Sequence, residues 1–429
     1  MATLMVHLSL LSATAGFLAA ASSLVSATPV PSHQDEQPRA HIVPFANKHA
    51  VTRRSGNFNV VDVVERDLRR IQRRNELVDR MKRSGTDNVK VKRTAAALEP
   101  YDINTLRKAR MKKKKQGSAT DPLVNDSDFL YFGNMDIGTP AQTTTIDFDT
   151  GSSDLIVPSS DCKNCTGPFF EPSKSTSFVT NNKPFETGFL DGSTANGVLS
   201  TDTVAIGSLA VQNQPFAVIT QASVGFDNPN AGLMGLAFPA FSAAPGTTPW
   251  FINLANQGLL ESNVFSFFLS RQGADGSELC IGCVDTAKFT GEVEYFPLTP
   301  GNASQMSWDI AAKGFTFNGK LVTTQPLTAT IDSGTSLIAV PPSQATALYA
   351  HVPGVQVSAD GTQWTFPCAN ADSIGTFGIV FSSGTVFNIN PTQFNAGPVE
   401  QGSDVCSGAI VSSGTEDGNA IVGDAFMNT

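Results

Sequence analysis

The sequence predicts an all-β protein made of two pseudo-symmetric lobes. The chain has 429 residues, of which 41% are hydrophobic, and it contains 36 glycines and 25 prolines. This composition suits a turn-rich β protein with enough apolar residues for two cores. Short apolar or alternating segments separated by Gly, Asn, Ser and Pro follow residue 120, and an internal repeat divides them into two halves.

The clearest strand segments lie at 130–137, 143–148, 198–206, 264–269 and 328–340. They are rich in Val, Ile, Phe and Thr and are bounded by turn residues, which predicts a mostly antiparallel arrangement. We place the first lobe at 121–303 and the second at 304–429.

The repeat consists of two motifs in each half. TIDFDTGSSDLIVP at 145–158 resembles TATIDSGTSLIAVP at 328–341, and AGLMGLA at 231–237 resembles AIVGDAF at 420–426. In each half an apolar strand precedes Asp-Thr/Ser-Gly, a second apolar strand follows it, and an apolar-Gly strand comes later. A single Asp-Thr-Gly is common by chance, but two copies in matching context predict one Asp loop from each lobe.

Two carboxylates at a lobe junction suit the hydrolysis of peptide bonds. Neighbouring carboxylates cannot both ionise without repulsion, so they share a proton. One then acts as general base on a water molecule and the other as general acid. The candidate catalytic pair is Asp149 and Asp332. Three kinds of support are expected: close backbone approach at Gly151 and Gly334, hydrogen bonds across the junction from Thr150 and Ser333, and donation to the outer carboxylate oxygens from Ser152 and Thr335.

Other hydrolytic sites are limited by the histidines. After residue 120 the chain has one histidine, His351, so a Ser-His-Asp or Cys-His site would have to use it. No nucleophile motif surrounds it, and we predict a surface position. A zinc site with two histidines is excluded from this part of the chain, and no metal or cofactor is predicted.

The charge of the chain is divided unevenly. Residues 28–120 carry an excess of Lys and Arg, residues 121–429 are acidic, and the formal net charge is −9. A basic run is often a nucleic-acid-binding tail, but a basic segment beside an acidic body favours pairing within the molecule. We therefore predict that 28–120 is a basic inhibitory propeptide and that no nucleic acid is bound.

The N-terminal segment has further signals. Residues 1–27 form an apolar run ending in Val25-Ser26-Ala27, which predicts a cleaved signal peptide rather than a membrane span. Apolar spacing over 60–81 predicts an amphipathic helix. Basic clusters, each a candidate processing point, occur at 82–83, 92–93 and 112–115.

Six cysteines, an even number, fit an exported protein with disulfides. They are Cys162, Cys165, Cys280, Cys283, Cys368 and Cys406. The two Cys-x-x-Cys pairs leave a four-thiolate zinc site open as an alternative. Acceptor sequons for N-glycosylation occur at Asn125, Asn164 and Asn302.

Residues 121–429 resemble the pepsin-like aspartic protease family, particularly its fungal secreted members. The resemblance is carried by FDTGSS at 148–153, IDSGTS at 331–336, both apolar-Gly strands and the pair Cys368/Cys406. It implies the bilobal pepsin-like aspartic protease fold and an aspartic-type endopeptidase, active at acid pH and made as a zymogen. It also implies disulfides Cys162–Cys165 and Cys368–Cys406, protein or peptide substrates, no membrane, a monomer, and an extracellular or vacuolar location.

The sequence departs from the family pattern in the flap, the hairpin that covers the site. Phe189 stands where the family usually has Tyr, within a stretch that also contains Asp191 and Gly192. Ile156 stands where the family usually has the Trp that bonds this Tyr. Both polar partners are replaced together, so we expect an apolar flap that still covers substrate.

Two further departures concern Cys280-x-x-Cys283 and the C-terminus. A Cys-x-x-Cys disulfide within a flat strand would be strained. The family continues past the second apolar-Gly motif with two more strands, whereas this sequence ends at Thr429. We therefore expect missing C-terminal strands and an exposed apolar edge in the second lobe. The alternative to an enzyme is a non-catalytic, protease-derived binding protein or an inactive truncated product.

Overall fold

The computed structural model describes both lobes and short pieces of the N-terminal segment. The described residues are 5–7, 63–65, 67–68 and 117–428, apart from 127, 129, 166, 189–193, 223–231, 245, 272–273, 275, 292 and 300–304. The predicted flap residues Phe189, Asp191 and Gly192, the sequon residue Asn302 and the basic cluster at 112–115 lie outside the described residues. So do most residues of the predicted signal peptide and propeptide.

The chain up to residue 281 forms two sheets. The strands are β1 (Met5–His7), β2 (Ala119–Pro122), β3 (Val124–Asp126), β4 (Leu130–Ile137), β5 (Gln142–Asp149), β6 (Leu155–Lys163), β7 (Val179–Gly188), β8 (Thr194–Ile206), β9 (Leu209–Ala222), β10 (Leu233–Gly235), β11 (Val264–Phe268) and β12 (Glu278–Ile281). An eight-stranded sheet has the order β3-β4-β5-β10-β6-β9-β8-β7, and a four-stranded sheet has the order β1-β11-β12-β2. Strand β1 lies within the predicted signal peptide, so its pairing with β11 belongs to the chain before cleavage of that peptide.

The second lobe also contains an eight-stranded and a four-stranded sheet. Its strands are β13 (Asp309–Phe317), β14 (Lys320–Leu321), β15 (Leu327–Ile331), β16 (Ile338–Val340), β17 (Gln356–Val357), β18 (Trp364–Pro367), β19 (Phe377–Phe381), β20 (Val386–Asn388), β21 (Asn395–Pro398), β22 (Val405–Gly408), β23 (Ile410–Ser412) and β24 (Asn419–Val422). The larger sheet has the order β20-β19-β13-β15-β24-β16-β23, with β14 on β13, and the smaller has the order β17-β18-β22-β21.

Helices are short in both lobes. The α-helices are α1 (Trp250–Asn256), α2 (Pro342–Tyr349), α3 (Pro391–Phe394) and α4 (Asp424–Met427), and single 3₁₀ turns lie at Pro172–Lys174, Pro239–Phe241 and Cys368–Ser373. Residues 63–65 and 67–68 are helical as well and fall within the helix predicted over 60–81, whose other residues lie outside the described ones.

The two lobes repeat one strand arrangement, which confirms the predicted pseudo-symmetry. In the first lobe β10 runs parallel to β5 and antiparallel to β6. In the second lobe β24 runs parallel to β15 and antiparallel to β16. The outer neighbours match too, because β9 is parallel to β6 and β23 is parallel to β16. Each apolar-Gly strand therefore lies between the two strands that flank an Asp loop.

One hydrophobic cluster contains buried side chains from both lobes. Trp308 lies where they meet: its ring packs 4.5 Å from that of Phe238 and 5.5 Å from that of Phe265, and its indole N–H donates to the Leu236 carbonyl at 3.0 Å. Because this core is shared, the lobes hold a fixed relative position at the junction.

The exposed apolar edge expected near the C-terminus is not present at α4. All four residues of α4 are buried, and so is Asn428. The Asn428 amide donates to the Tyr131 hydroxyl at 3.1 Å, and Arg271 Nε donates to the Asn428 carbonyl at 3.2 Å. Residues 424–427 pack within the second lobe, where the Phe426 ring lies 6.1 Å from that of Phe381, and Asn428 contacts the first lobe. The exposed sheet edge itself stays a prediction.

Candidate active site

The backbone of each Asp loop is fixed within its own lobe. Asp149 ends β5, and Asp332 directly follows β15. The Leu236 N–H donates to the Asp149 carbonyl at 2.7 Å, and the Asp332 N–H donates to the Val422 carbonyl at 3.1 Å. Both partners belong to the apolar-Gly motifs, so these motifs position the two aspartates.

Each aspartate carboxylate lies against the glycine of the other lobe. A Cβ added at Gly151 would lie less than 3.0 Å from the Asp332 carboxylate, and one added at Gly334 would lie less than 3.0 Å from an Asp149 carboxylate oxygen. Within each loop, the Gly151 N–H donates to Asp149 Oδ1 at 2.7 Å and the Gly334 N–H donates to Asp332 Oδ1 at 3.0 Å. The two buried carboxylates are therefore brought together, and only glycine fits beside them.

The residues after the two aspartates exchange hydrogen bonds across the junction. Thr150 Oγ1 donates to the Ile331 carbonyl at 2.9 Å and accepts from the Ser333 N–H at 2.9 Å. Ser333 Oγ donates to the Phe148 carbonyl at 2.6 Å and accepts from the Thr150 N–H at 3.0 Å. These four bonds are the cross-lobe bonds expected from the sequence, and they hold the loops in one relative position.

Replacing Thr150 by valine should destabilise the protein by about 2–5 kcal/mol. Valine keeps the shape but removes the hydroxyl, which leaves the buried Ile331 carbonyl and Ser333 N–H without this partner. The measurement is the midpoint of denaturant unfolding. Thr346→Val is the matched control, because Thr346 is exposed and its hydroxyl bonds only within α2. Equal midpoints for both variants would contradict the structural role of these bonds.

The outer carboxylate oxygens are supported differently in the two lobes. The Thr335 hydroxyl donates to Asp332 Oδ2 at 3.0 Å, as expected. The Ser152 hydroxyl is buried and makes no hydrogen bond within the described residues, so the expected donation to Asp149 is absent. Threonine is β-branched and restricted in χ1, whereas serine can take any of three staggered rotamers, and sequence reasoning could not select among them.

A third carboxylate near the first loop was not singled out from the sequence. Asp154 Oδ1 accepts from the Ser242 hydroxyl at 2.5 Å and Oδ2 accepts from the Ala243 N–H at 2.8 Å. Burial raises the pKa of Asp154, although these hydrogen bonds act in the opposite direction. The side chain ties the first Asp loop to residues 242–243. Its position directly after Asp-Thr-Gly-Ser-Ser was the available signal, but nothing in the sequence identified Ser242 as its partner.

The base of the predicted flap is apolar. Strands β7 and β8, which flank the predicted flap residues, are paired up to Gly188 and Thr194. Ile156 is 2% exposed and shares a small buried cluster with Phe185 and Ala195 of these strands. Ile156 thus occupies a packed apolar position, in agreement with the apolar character predicted for this region.

The six cysteines form three disulfides: Cys162–Cys165, Cys280–Cys283 and Cys368–Cys406. No thiolate remains for the four-cysteine zinc site considered above. The strain expected for Cys280–Cys283 assumed a flat strand, and that assumption was wrong. Strand β12 ends at Ile281, and Gly282 takes a φ of 75°, so the chain turns between the two cysteines.

The described glycosylation sequons differ in accessibility. Asn164 is exposed, as an acceptor should be. Asn125 is half-buried, and its amide nitrogen donates to Asp128 Oδ1 at 2.6 Å and to the Ser270 carbonyl at 2.7 Å. A glycan on this nitrogen would remove one of these bonds, so the structure disfavours Asn125 as a glycosylation site.

His351 is exposed and its ring stacks on that of Phe317, which agrees with the surface position predicted for it.

Comparisons with known proteins agree with this geometry. Residues 130–429 match the family model described as eukaryotic aspartyl protease. The chain belongs to the eukaryotic aspartyl protease family. It is 36% identical over 330 residues to an aspartic protease of Phaffia rhodozyma, covering 74% of this chain and 77% of the relative. It is also 32% identical over 326 residues to pepsin-2B of Gadus morhua, covering 72% and 93%.

A third relative is cathepsin D of Dictyostelium discoideum, which is 33% identical over 320 residues, covering 72% of this chain and 81% of the relative. As a member of the aspartyl protease family, the chain is an aspartic-type endopeptidase that acts on protein substrates. Pepsin-like aspartyl proteases are secreted or lie in vacuoles or lysosomes. Among the residues that the structure describes, no helix is long and apolar enough to cross a membrane.

Proposed function

We propose that this aspartyl protease cleaves peptide bonds at acid pH with Asp149 and Asp332 as its catalytic pair. The observation that carries the proposal is the position of each buried carboxylate beside the glycine of the opposite loop.

The pair would act on a water molecule held between the two carboxylates. One carboxylate takes a proton from the water as its oxygen attacks the carbonyl carbon, while the protonated partner donates to the carbonyl oxygen. The resulting tetrahedral intermediate collapses when the carboxyl group that took the proton from water gives it to the leaving nitrogen and the C–N bond breaks, while the other carboxylate takes a proton from a hydroxyl of the intermediate. Thr150 and Ser333 contribute rigidity, which keeps both carboxylates at the distance this exchange requires.

Acid conditions suit the buried carboxyl groups of this chain. Burial raises the pKa of Asp121 to about 7, and burial also raises the pKa of Asp154 and of Glu278. In each case the folded state favours the neutral form more than the unfolded state does, so these three groups contribute more to stability at low pH than at neutral pH. This supports an acidic compartment or medium as the place of action. We also propose that the protein is secreted to the cell exterior and is a monomer.

The basic segment is proposed to be an inhibitory propeptide. Residues 117–122 belong to the folded body, since the Gly117 N–H donates to the Leu259 carbonyl at 3.1 Å and β2 pairs with β12. This supports processing between residues 110 and 116, near the Lys112 to Lys115 run, rather than within 117–120. Before processing, a lysine of this run would pair with the ionised catalytic pair, and protonation at low pH would weaken that attraction.

The test is to incubate the purified precursor at pH 7 and at pH 3–4 while measuring chain length and hydrolysis of an unfolded protein. We expect no activity at pH 7, and in acid a shortened chain that becomes active. The Asp149→Asn precursor, incubated in parallel, shows whether the chain processes itself. A precursor that is fully active at neutral pH, or active in acid without shortening, would contradict the zymogen proposal.

A further inference from the structure

Residues 63–65 and 67–68 lie against the second lobe, although almost 270 positions separate them in sequence from their partners. Asp67 Oδ2 accepts from the Ser336 N–H at 2.9 Å and from the Leu337 N–H at 3.0 Å. The Asp67 side chain is 0% exposed. A single carboxylate oxygen thus receives two adjacent backbone donors.

Apolar residues on the same helical piece support this contact. Val64 is fully buried and belongs to the main hydrophobic cluster, and Leu68 packs against that cluster. Glu65 is exposed. Val64 and Leu68 are four positions apart and therefore lie on one face of a helix with Asp67 beside them. The buried face consists of an acid between two apolar anchors.

Burial of Asp67 is not expected from packing alone. Removing a carboxylate from water costs several kcal/mol unless charged hydrogen bonds replace the lost hydration. Backbone N–H groups that bond a carboxylate form bonds about twice as strong as neutral ones. The buried position of Asp67 in a segment otherwise rich in Lys and Arg therefore indicates a specific interaction.

The donors lie next to the second catalytic loop. Ser336 follows Thr335, whose hydroxyl bonds Asp332. In the repeat, Leu337 occupies the place of Asp154, the carboxylate that ties the first loop to residues 242–243. The second lobe has an apolar residue at this place, and a carboxylate from outside the lobe reaches the loop instead.

We propose that the backbone N–H groups of Ser336 and Leu337 form a carboxylate-binding site, and that its occupant is Asp67 of the same chain with Val64 and Leu68 as apolar anchors. The site recognises an acidic, helical peptide segment with this spacing. The inference does not require that the segment inhibits the enzyme or that it is removed.

The test measures amide hydrogen exchange of the full chain at pH 7 with single-amide resolution. Every chain in the comparison also carries Asp149→Asn. We expect Asp67→Asn and Asp67→Leu to raise the exchange rates of the Ser336 and Leu337 amides by about tenfold or more. Glu65→Gln and Glu65→Leu are matched controls on the exposed face and should change these rates less than about twofold.

Unchanged protection of both amides in folded Asp67→Asn chain would overturn the proposal, and so would equal effects of the Asp67 and Glu65 substitutions. If Asp67→Leu does not fold, Asp67→Asn decides, since it nearly preserves the side-chain volume. If neither Asp67 variant folds while both Glu65 variants do, Asp67→Glu decides, because it keeps a carboxylate at this position. A folded Asp67→Glu chain in which both amides stay protected would support the proposal, whereas failure to fold or loss of protection at both amides would overturn it.

Discussion

Replacing either Asp149 or Asp332 by asparagine is expected to lower kcat/KM for peptide hydrolysis at acid pH by about 10³-fold or more. Asparagine fits the same space but can neither take a proton from water nor share one with its neighbour. General acid and base catalysis contributes about 10²–10⁴-fold, and both functions depend on the pair. The measurement is hydrolysis of an unfolded protein or peptide library by purified variants at pH 3–4.

The fold should survive these substitutions, because each removes one of two adjacent carboxylates and with it their repulsion. Unfolding midpoints are measured alongside activity for this reason. Asp161→Asn is the matched control, since Asp161 is an exposed carboxylate of β6. Substantial activity in either Asp149→Asn or Asp332→Asn would refute the assignment of the catalytic pair.

The second large effect concerns stability near neutral pH. Asp121 of β2 is 7% exposed, and its carboxylate lies against Gly133, where an added Cβ would lie less than 3.0 Å from it. Burial raises its pKa from 3.8 to about 7, although the Asn134 N–H donates to Oδ2 at 2.9 Å. The folded state thus holds a proton that the unfolded state loses at much lower pH.

The sign of the pH effect follows from this proton. The contribution of Asp121 to folding is fully present below pH 3.8 and is lost as pH rises through about 7. A shift of this size corresponds to a loss of the order of 4 kcal/mol. Asp121→Asn removes the titration but retains an oxygen for the Asn134 N–H, so the variant should be more stable than the parent at pH 8.

Unfolding free energies of the Asp149→Asn chain with and without Asp121→Asn, measured from pH 4 to pH 8, test this expectation. The parent curve should fall across this range and the variant curve should fall less. Asp161→Asn again serves as control, because it makes the same substitution at an exposed carboxylate of β6. A change of slope shared by both variants would contradict the assignment to Asp121. Parallel curves for parent and Asp121→Asn would show that Asp121 does not titrate in this range.

The features predicted well from sequence are those that repeat. The apolar strands around Asp149 and Asp332 have matching flanks, so the presence of one Asp loop in each lobe followed from the repeat. The parallel pairing of β5 with β10 was not predicted, because the sequence indicated only a mostly antiparallel arrangement. The cross-lobe bonds of Thr150 and Ser333 could be expected because both residues occupy the same position in two loops that must meet. Because each position of the motif occurs twice in the sequence, the two copies support the same interpretation independently, whereas a single motif has no such support.

Features that occur once were predicted poorly. The turn at Gly282 accommodates Cys280–Cys283, and the contacts of Asn428 with Tyr131 and Arg271 join residues that are remote in sequence. The contact of Asp67 with Ser336 and Leu337 is also remote, and it places an acid where periodicity assigns only apolar residues. Long-range contacts of this kind depend on tertiary structure and leave no local pattern.

The anchoring of Asp67 on the second lobe and of residues 117–122 in the first has a topological consequence. In the full chain, two stretches of polypeptide connect the lobes: the one between residues 68 and 117, and the one that leads into β13. The two together close a loop through both lobes, in which the contact of Asp67 with Ser336 and Leu337 is a noncovalent link. A cut between 110 and 116 opens that loop and leaves one connection between the lobes. The lobes then regain the conformational entropy that closure of the loop had removed.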